Sequence, residues 1–176
     1  MNSSEDSKKS NNDYRERRIM MKSIAIVAMM VCSLSMSAQT VNFKAMRPEK
    51  RNEYMIKLAK EIIMNFGPGY YREVEEPKVL EEIKTFDVPE GCDEEQMRCN
   101  GRKYYEVQMV YDKNNERLAW GYAAKVRIWA DDGEPFYVTF GNGMGVNFIY
   151  RSYRELLKEG IEDDMVIKYQ PVKRKD

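Results

Sequence analysis

The sequence predicts an α+β domain in which a long N-terminal helix packs on an antiparallel β-meander. Two periodicities carry this prediction. Apolar residues recur at helical spacing over residues 47–66, and apolar and polar residues alternate over 104–140. Short turns separate the alternating segments, which is typical of antiparallel hairpins. A sheet of this kind has one apolar face that needs a cover, and the long helix is the candidate to provide it.

The first helix is predicted from Arg47 to Phe66. Pro48 suits a first helical turn, and the run Gly67-Pro68-Gly69 ends the helix. The apolar stripe of this helix consists of Tyr54, Met55, Leu58, Ala59, Ile62, Ile63 and Phe66. A shorter helix is predicted over Pro77–Phe86, and a loop then follows from Asp87 to Gly101.

Strands account for most of the second half of the chain. The predicted elements are strands over Tyr104–Tyr111, Leu118–Ala130 and Phe136–Phe140, a helix over Phe148–Lys158 and a last short strand over Met165–Tyr169. Asp131-Asp132-Gly133 is predicted to be a tight hairpin turn. Gly141–Gly145 is a G-x-G-x-G run, interpreted as a plain turn because phosphate-binding loops of this type open a helix within a βαβ unit.

Residues 1–38 resemble a polar extension followed by a signal peptide. The apolar run Ile24–Ala38 follows a basic stretch that ends at Lys22, and it finishes in small residues. The run is too short to span a bilayer, which takes about 20 apolar residues. We therefore expect residues 39–176 to form a single exported α+β domain, secreted or periplasmic, with no stable membrane span after the leader is cleaved.

The composition excludes several classes of function. Of 29 basic and 29 acidic residues, six and four lie within 1–38, which leaves 39–176 with a net charge of −2 and no basic face for nucleic acid. The chain has no histidine, which excludes Ser-His-Asp and Cys-His catalysis and a histidine-bound zinc. We therefore predict no metal site, no cofactor and no catalytic residues of these types. Any catalysis would rest on carboxylates, lysine or tyrosine.

Cys92 and Cys99 are the two cysteines that remain beyond the leader. In an oxidising compartment an even pair predicts a disulfide. Such a bridge would close the polar loop between them and contribute about 2.5 kcal/mol in the chain-entropy model.

The candidate ligand-binding residues lie at and beside the predicted hairpin turn. Trp129 and Tyr137 flank the turn that holds Asp131 and Asp132. Exposed aromatic side chains at this place would stack on a sugar ring or bury a side chain of a partner protein. The competing interpretation is that both rings pack under the helix predicted over 148–158. Trp120 falls on the apolar side of its strand and is expected in the core.

The order of a long helix followed by an antiparallel meander resembles the cystatin-like superfold, whose shape is also that of NTF2-like domains. The resemblance spans roughly residues 46–140 and is one of topology. Cystatin inhibitors carry a Q-x-V-x-G turn, and this chain has Gln108-Met109-Val110-Tyr111-Asp112 at that location, with Asp112 in place of the glycine. The resemblance implies the fold of an exported bacterial protein, and it says little about protease inhibition, because the superfold hosts many unrelated functions.

Two classes of function remain open on the sequence. The first is an exported, non-catalytic binding or interaction domain with a protein or glycan partner. The second is a small histidine-independent enzyme that uses carboxylates or tyrosines in a cavity between helix and sheet. Acids that point into such a cavity would favour the enzyme, whereas an apolar cavity or an aromatic surface would favour the binding domain.

Overall fold

A computed structural model describes residues 43–72, 76–80 and 83–172, so the predicted leader lies outside the described residues. Asn42–Asp176 forms one compact unit. This unit has an α+β fold with an open, six-stranded antiparallel sheet and three α-helices, which confirms the predicted class and strand direction. Nowhere in the described part of the chain is there a helix with the length and hydropathy needed to cross a membrane.

One helix precedes the strands, a short one separates the second strand from the third, and one follows the last strand. In chain order they are α1 Pro48–Phe66, β1 Lys78–Val79, β2 Lys84–Thr85, α2 Glu94–Arg98, β3 Lys103–Met109, β4 Ala124–Trp129, β5 Pro135–Phe140, β6 Gly145–Asn147 and α3 Tyr153–Glu159. The sheet has the order β1-β3-β4-β5-β6, and β2 also pairs with β3. The two short strands thus lie one after the other along the same edge of β3.

Helix α1 packs its apolar stripe against one face of the sheet, here called the inner face. Pro48 occupies the first turn, and the N–H of Gly67 donates to the carbonyl of Ile63 at the end of the helix. The residues buried on α1 and on the inner face form one core that includes Met55, Leu58, Ala59, Ile62, Ile63, Phe66, Val107, Met109, Val126, Ile128 and Val138. Truncating one of the isoleucines to alanine in such a core costs about 2–5 kcal/mol.

The predicted helix over Pro77–Phe86 is wrong, because this segment pairs with the edge of β3. Leu80 donates its backbone N–H to Glu106, and Phe86 donates to Arg102. An unpaired sheet edge offers backbone partners to a passing segment, and these long-range bonds override a weak local helical pattern. Ile83, which the helical pattern placed inside, is exposed.

Other element boundaries also differ from the predictions. Strand β4 begins at Ala124 rather than Leu118, and the loop predicted over 87–101 contains α2, which Asp93 caps. The last helix begins at Tyr153, after a capping box formed by Ser152 and Glu155. The segment 165–169, predicted as a strand, forms no strand there, and the N–H of Ile167 instead donates to Phe66 at the end of α1.

The predicted disulfide is absent, because Cys92 and Cys99 are both free thiols. Cys92 precedes the N-cap of α2 and Cys99 is its C-cap. The five helical residues between them add about 1.5 Å each, or roughly 7 Å along the axis. A disulfide needs its Cα atoms about 4.4–6.8 Å apart, with the side chains facing each other. The polar loop that the spacing suggested is therefore a short helix that holds the two sulfurs apart.

Candidate functional site

The face of the sheet opposite α1, here called the outer face, carries a row of polar side chains across four strands. The register sets Glu106 of β3 opposite Arg127 of β4, Arg127 opposite Tyr137 of β5, and Tyr137 opposite Asn147 of β6. Residues directly opposite one another in antiparallel strands share a face and lie close enough to interact. Four residues far apart in sequence thereby form one continuous polar row.

Glu106 anchors this row as a buried carboxylate, with only 1% of its surface exposed. Three cations surround it. Lys84 donates from Nζ to Oε2 over 2.9 Å, Arg127 donates from Nε to Oε1 over 3.2 Å, and Lys125 Nζ lies 3.4 Å from Oε2. A buried charge is tolerated when it is paired and hydrogen-bonded in this way.

The pKa of Glu106 lies below its ordinary value as a result of opposing effects. Burial, the largest of them, acts to raise the pKa. The hydrogen bond from Lys84, the charges of Lys125 and Lys84, and the bond from Arg127 together outweigh burial. The carboxylate is therefore ionised throughout the neutral range, which suits a structural anchor better than a proton donor.

A cavity of about 290 Å³ lies beside the polar row, between the outer face and the segment that leads into α2. Its lining consists of Phe86, Val88, Pro89, Gln96, Arg127, Phe136, Tyr137, Asn147 and Ile149. Gln96 also donates from Nε2 to the hydroxyl of Tyr150 over 2.6 Å, which ties α2 to the chain after β6. The cavity thus combines apolar walls with a few convergent polar groups, the usual make-up of a small-molecule site.

Of the four predicted ligand-binding residues, Tyr137 is the one that lines this cavity. Trp129 is 4% exposed and is packed among Phe86, Tyr104 and Phe136, with its ring stacked on that of Phe136 at 3.7 Å between centroids. The prediction of an exposed tryptophan at this hairpin is therefore wrong. Trp129 packs against neighbouring rings of its own chain.

Asp131 and Asp132 both bind Arg102. Its guanidinium donates to both carboxylate oxygens of Asp131 and, over 2.8 Å, to Asp132, and it lies 4.2 Å from the ring centroid of Trp129. Burial acts to raise the pKa of Asp131, but the hydrogen bond and charge of Arg102 bring it below its ordinary value. These two exposed acids thereby hold an arginine over the tryptophan, and their role in ligand binding stays a prediction.

The turn that holds these acids is present where the sequence predicted it. Gly133 has a φ of 76°, which a side chain disfavours, and a Cβ there would lie 2.5 Å from the ring of Phe43. The Gly-rich run after β5 is also a turn. It joins two antiparallel strands, so it lacks the βαβ setting that a phosphate-binding loop needs.

Trp120, expected in the core, is 53% exposed. Its ring is stacked with that of Tyr122, and Lys125 lies over the Tyr122 ring at 4.8 Å. The prediction failed because the segment before Ala124 leaves the regular strand, so the alternation of faces no longer holds there. The exposed Trp120 and the half-buried Tyr122 continue the outer face toward the turn after β5, where Met144 is also exposed.

A second depression, of about 440 Å³, lies at the C-terminal segment. It is lined by Asn142, Met144, Asp163, Asp164, Val166, Ile167, Lys168 and Gln170. Asp163 and Asp164 are exposed residues of a turn. The first cavity, in contrast, has no Asp or Glu among those of its lining residues that the structure describes. It therefore offers no pair of acids for carboxylate catalysis.

The sequence predicted which polar residues lie on the outer face but not which of them are cross-strand neighbours. Strict alternation in β3 and β4 already put Glu106, Lys125 and Arg127 on the side away from the core. Which of them face one another depends on the register, which alternation leaves open. Neither could the pattern show that the segment 86–96 folds back over this face and closes a cavity.

Searches with the chain matched no protein-family model, no curated protein and no solved structure.

Proposed function

We propose that this chain is an exported, non-catalytic binding domain whose binding site is the outer-face cavity. The observation that carries the proposal is the lining of that cavity, in which Arg127, Tyr137 and Asn147 converge on a space walled by Phe86 and Phe136. Rigid sheet strands present all three polar groups, so their positions are preorganised for binding. The described lining pairs apolar walls with the donors of Arg127 and Asn147, a composition that supports binding.

Ligand-observed NMR with a mixed library of small fragments tests this proposal. We expect fragments to bind the purified protein. The NMR effect that reports their binding should disappear when Ile149→Trp fills the cavity. Ile83→Trp is the matched control, because Ile83 is exposed and lies outside the lining. Fragments that bind the Ile149→Trp variant as well as the unmodified protein would count against the cavity as the site.

Export is part of the proposal and is supported by the layout of residues 1–38. We propose that the chain is cleaved near Ala38 and that the domain from residue 39 onward works in a secreted or periplasmic location. N-terminal sequencing of the protein isolated from its native cell is the test. A terminus at Met1 or Met21 would overturn export.

We further propose that the domain is a variant of the cystatin-like superfold. The support is the helix α1 followed by an antiparallel meander that it covers. The proposed binding site lies on the opposite face of the sheet from α1, so it is independent of this assignment. An experimental structure in which α1 lies along the sheet edge rather than across its inner face would contradict it.

A further inference from the structure

Among the described residues, three cations of the outer face pair with a single carboxylate, that of Glu106. Lys125 and Arg127 both form their ion pair with Glu106, and Lys84 pairs with the same carboxylate. Within this described cluster, Lys125 and Arg127 set two positive charges against the one negative charge of Glu106, at a site that is partly shielded from water. Such an excess attracts an anion from solution more strongly than a fully exposed charge does.

Arg127 carries this charge into the cavity. Among the hydrogen bonds of the described residues, it donates only through Nε, to Glu106. Its guanidinium lies 5.7 Å from the ring centroid of Tyr104 and 5.4 Å from that of Tyr137, which limits its freedom to swing away. The two terminal Nη groups are thus the donors with which Arg127 can meet a ligand, while Nε stays on Glu106. A guanidinium presents its donors as a planar fork that matches the two oxygens of a carboxylate.

The walls of the cavity define the rest of the ligand. Phe86, Phe136 and Ile149 offer apolar surface, and Arg127 is the one charged side chain among the described residues of the lining. A volume of about 290 Å³ lies at the small end of ligand cavities. These dimensions fit a single ring or a short aliphatic chain. One cationic fork among neutral lining residues suits a single carboxylate better than a doubly charged phosphate.

We propose that the outer-face cavity binds a small organic acid, with its carboxylate on Arg127 and its aromatic or aliphatic body against Phe86, Phe136 and Ile149. This inference rests on the proposed function and adds the chemical class of the ligand. The carboxylate of the ligand adds a second negative charge beside Lys125 and Arg127, which share that of Glu106. The apolar walls take the body of the acid out of water. Asn147, which also lines the cavity, offers its side-chain amide as a further donor to the same carboxylate.

Phenylacetate is the probe, compared with phenylacetamide, 2-phenylethylamine and phenylphosphonate. Binding to the purified protein is measured by titration calorimetry and by chemical-shift changes at Tyr137, Asn147 and Ile149. We expect phenylacetate to bind at least about tenfold more tightly than the neutral amide, because a hydrogen bond to a charged group is the difference between them. The amine should not bind, and the phosphonate should bind less tightly than phenylacetate.

Three variants locate the effect. Arg127→Gln should weaken phenylacetate at least about tenfold and phenylacetamide by clearly less, because the amide loses a hydrogen bond but no ion pair. Arg127→Lys keeps the charge beside Glu106 and guards against loss of folding, and it should give an intermediate loss because the fork is gone. Lys50→Gln removes an exposed cation from α1 and should change nothing.

The outcomes separate the ligand class from the site. Equal binding of acid and amide, tighter binding of the phosphonate, or no binding of phenylacetate at millimolar concentration would each overturn the organic-acid inference. If Ile149→Trp abolishes binding of the other probes in those cases, the cavity remains the binding site. If Ile149→Trp leaves phenylacetate binding unchanged, the cavity is not the site, and the proposed function fails as well.

Discussion

Arg127 donates from Nε to the buried Oε1 of Glu106 over 3.2 Å, and the two residues lie directly opposite each other in β3 and β4. Glu106 cannot reach water, whereas the three cations around it remain partly exposed. Without the cations the buried carboxylate would be left unpaired, whereas without the carboxylate the cations could still be solvated by water. Because all three cations pair with this one carboxylate, Glu106 is the residue that keeps these like charges close to one another.

Replacement of Glu106 by glutamine should destabilise the domain by about 2–3 kcal/mol at neutral pH, near the lower end for breaking a buried ion pair. The cost arises because cations drawn together by one carboxylate are left to repel one another. Their partial exposure keeps the loss moderate, since water can rehydrate them. Glu53→Gln, on the exposed side of α1, is the matched control and should lower the free energy of unfolding by less than about 0.5 kcal/mol. Urea unfolding measures both values, and equal stability of the two variants would contradict the anchoring role.

Acid should weaken the domain partly through the same residue. The pKa of Glu106 in the folded state lies below its ordinary value of 4.5. Its contribution to the free energy of unfolding is therefore complete above about pH 5 and is lost as the pH falls through the folded pKa. The stability difference between the unmodified protein and Glu106→Gln should narrow as the pH falls below about 5. Other acids with lowered pKa values, such as Glu116, are present in both proteins and cancel in that difference. A difference that stays constant with pH would show that the carboxylate carries no such linkage.

Periodicity was enough to predict the fold class because both of its signals are local. Alternation in β3 put Tyr105, Val107 and Met109 on one side, and all three are buried. Where a segment is short and ambiguous, long-range pairing decides instead. The helical spacing of Val79, Leu80 and Ile83 fits a helix as well as it fits two edge strands, and the open edge of β3 decides for strands.

The candidate site was less accessible to sequence reasoning, as the two tryptophans illustrate. Strand β4 ends in a buried tryptophan because Phe86, from a segment predicted as helix, folds over it, and Arg102 lies on its ring. Trp120 is exposed because the chain before Ala124 is not a regular strand. In both cases the burial of the ring depends on a segment distant in sequence or on a local irregularity, and neither leaves a mark in the alternation.

The two tryptophans should therefore behave oppositely in solution. Trp120→Phe leaves Trp129, whose fluorescence should resist quenching by acrylamide, whereas Trp129→Phe leaves the exposed Trp120, which should be quenched readily. The stability effects should differ in the same sense: Trp129→Phe should cost about 1–3 kcal/mol through lost core packing, and Trp120→Phe less than about 0.5 kcal/mol. Similar quenching of the two single-tryptophan proteins would contradict the burial of Trp129.

The two cysteines of the domain should react as separate thiols of unequal accessibility. Cys92 is half-buried, whereas Cys99 is 9% exposed and packs beside Phe86 and Trp129. Iodoacetamide should thus label Cys92 in the folded protein, and Cys99 should be labelled only slowly until denaturant is added, because access to its sulfur requires the cluster to open. Cys92→Ser and Cys99→Ser identify the two labelling rates by removing one thiol at a time.

A reductant should leave the thermal midpoint unchanged, since α2 holds the sulfurs too far apart to bridge. Recovery of a peptide pair joined through Cys92 and Cys99 under non-reducing conditions would overturn the separation, and with it the position of α2 between them.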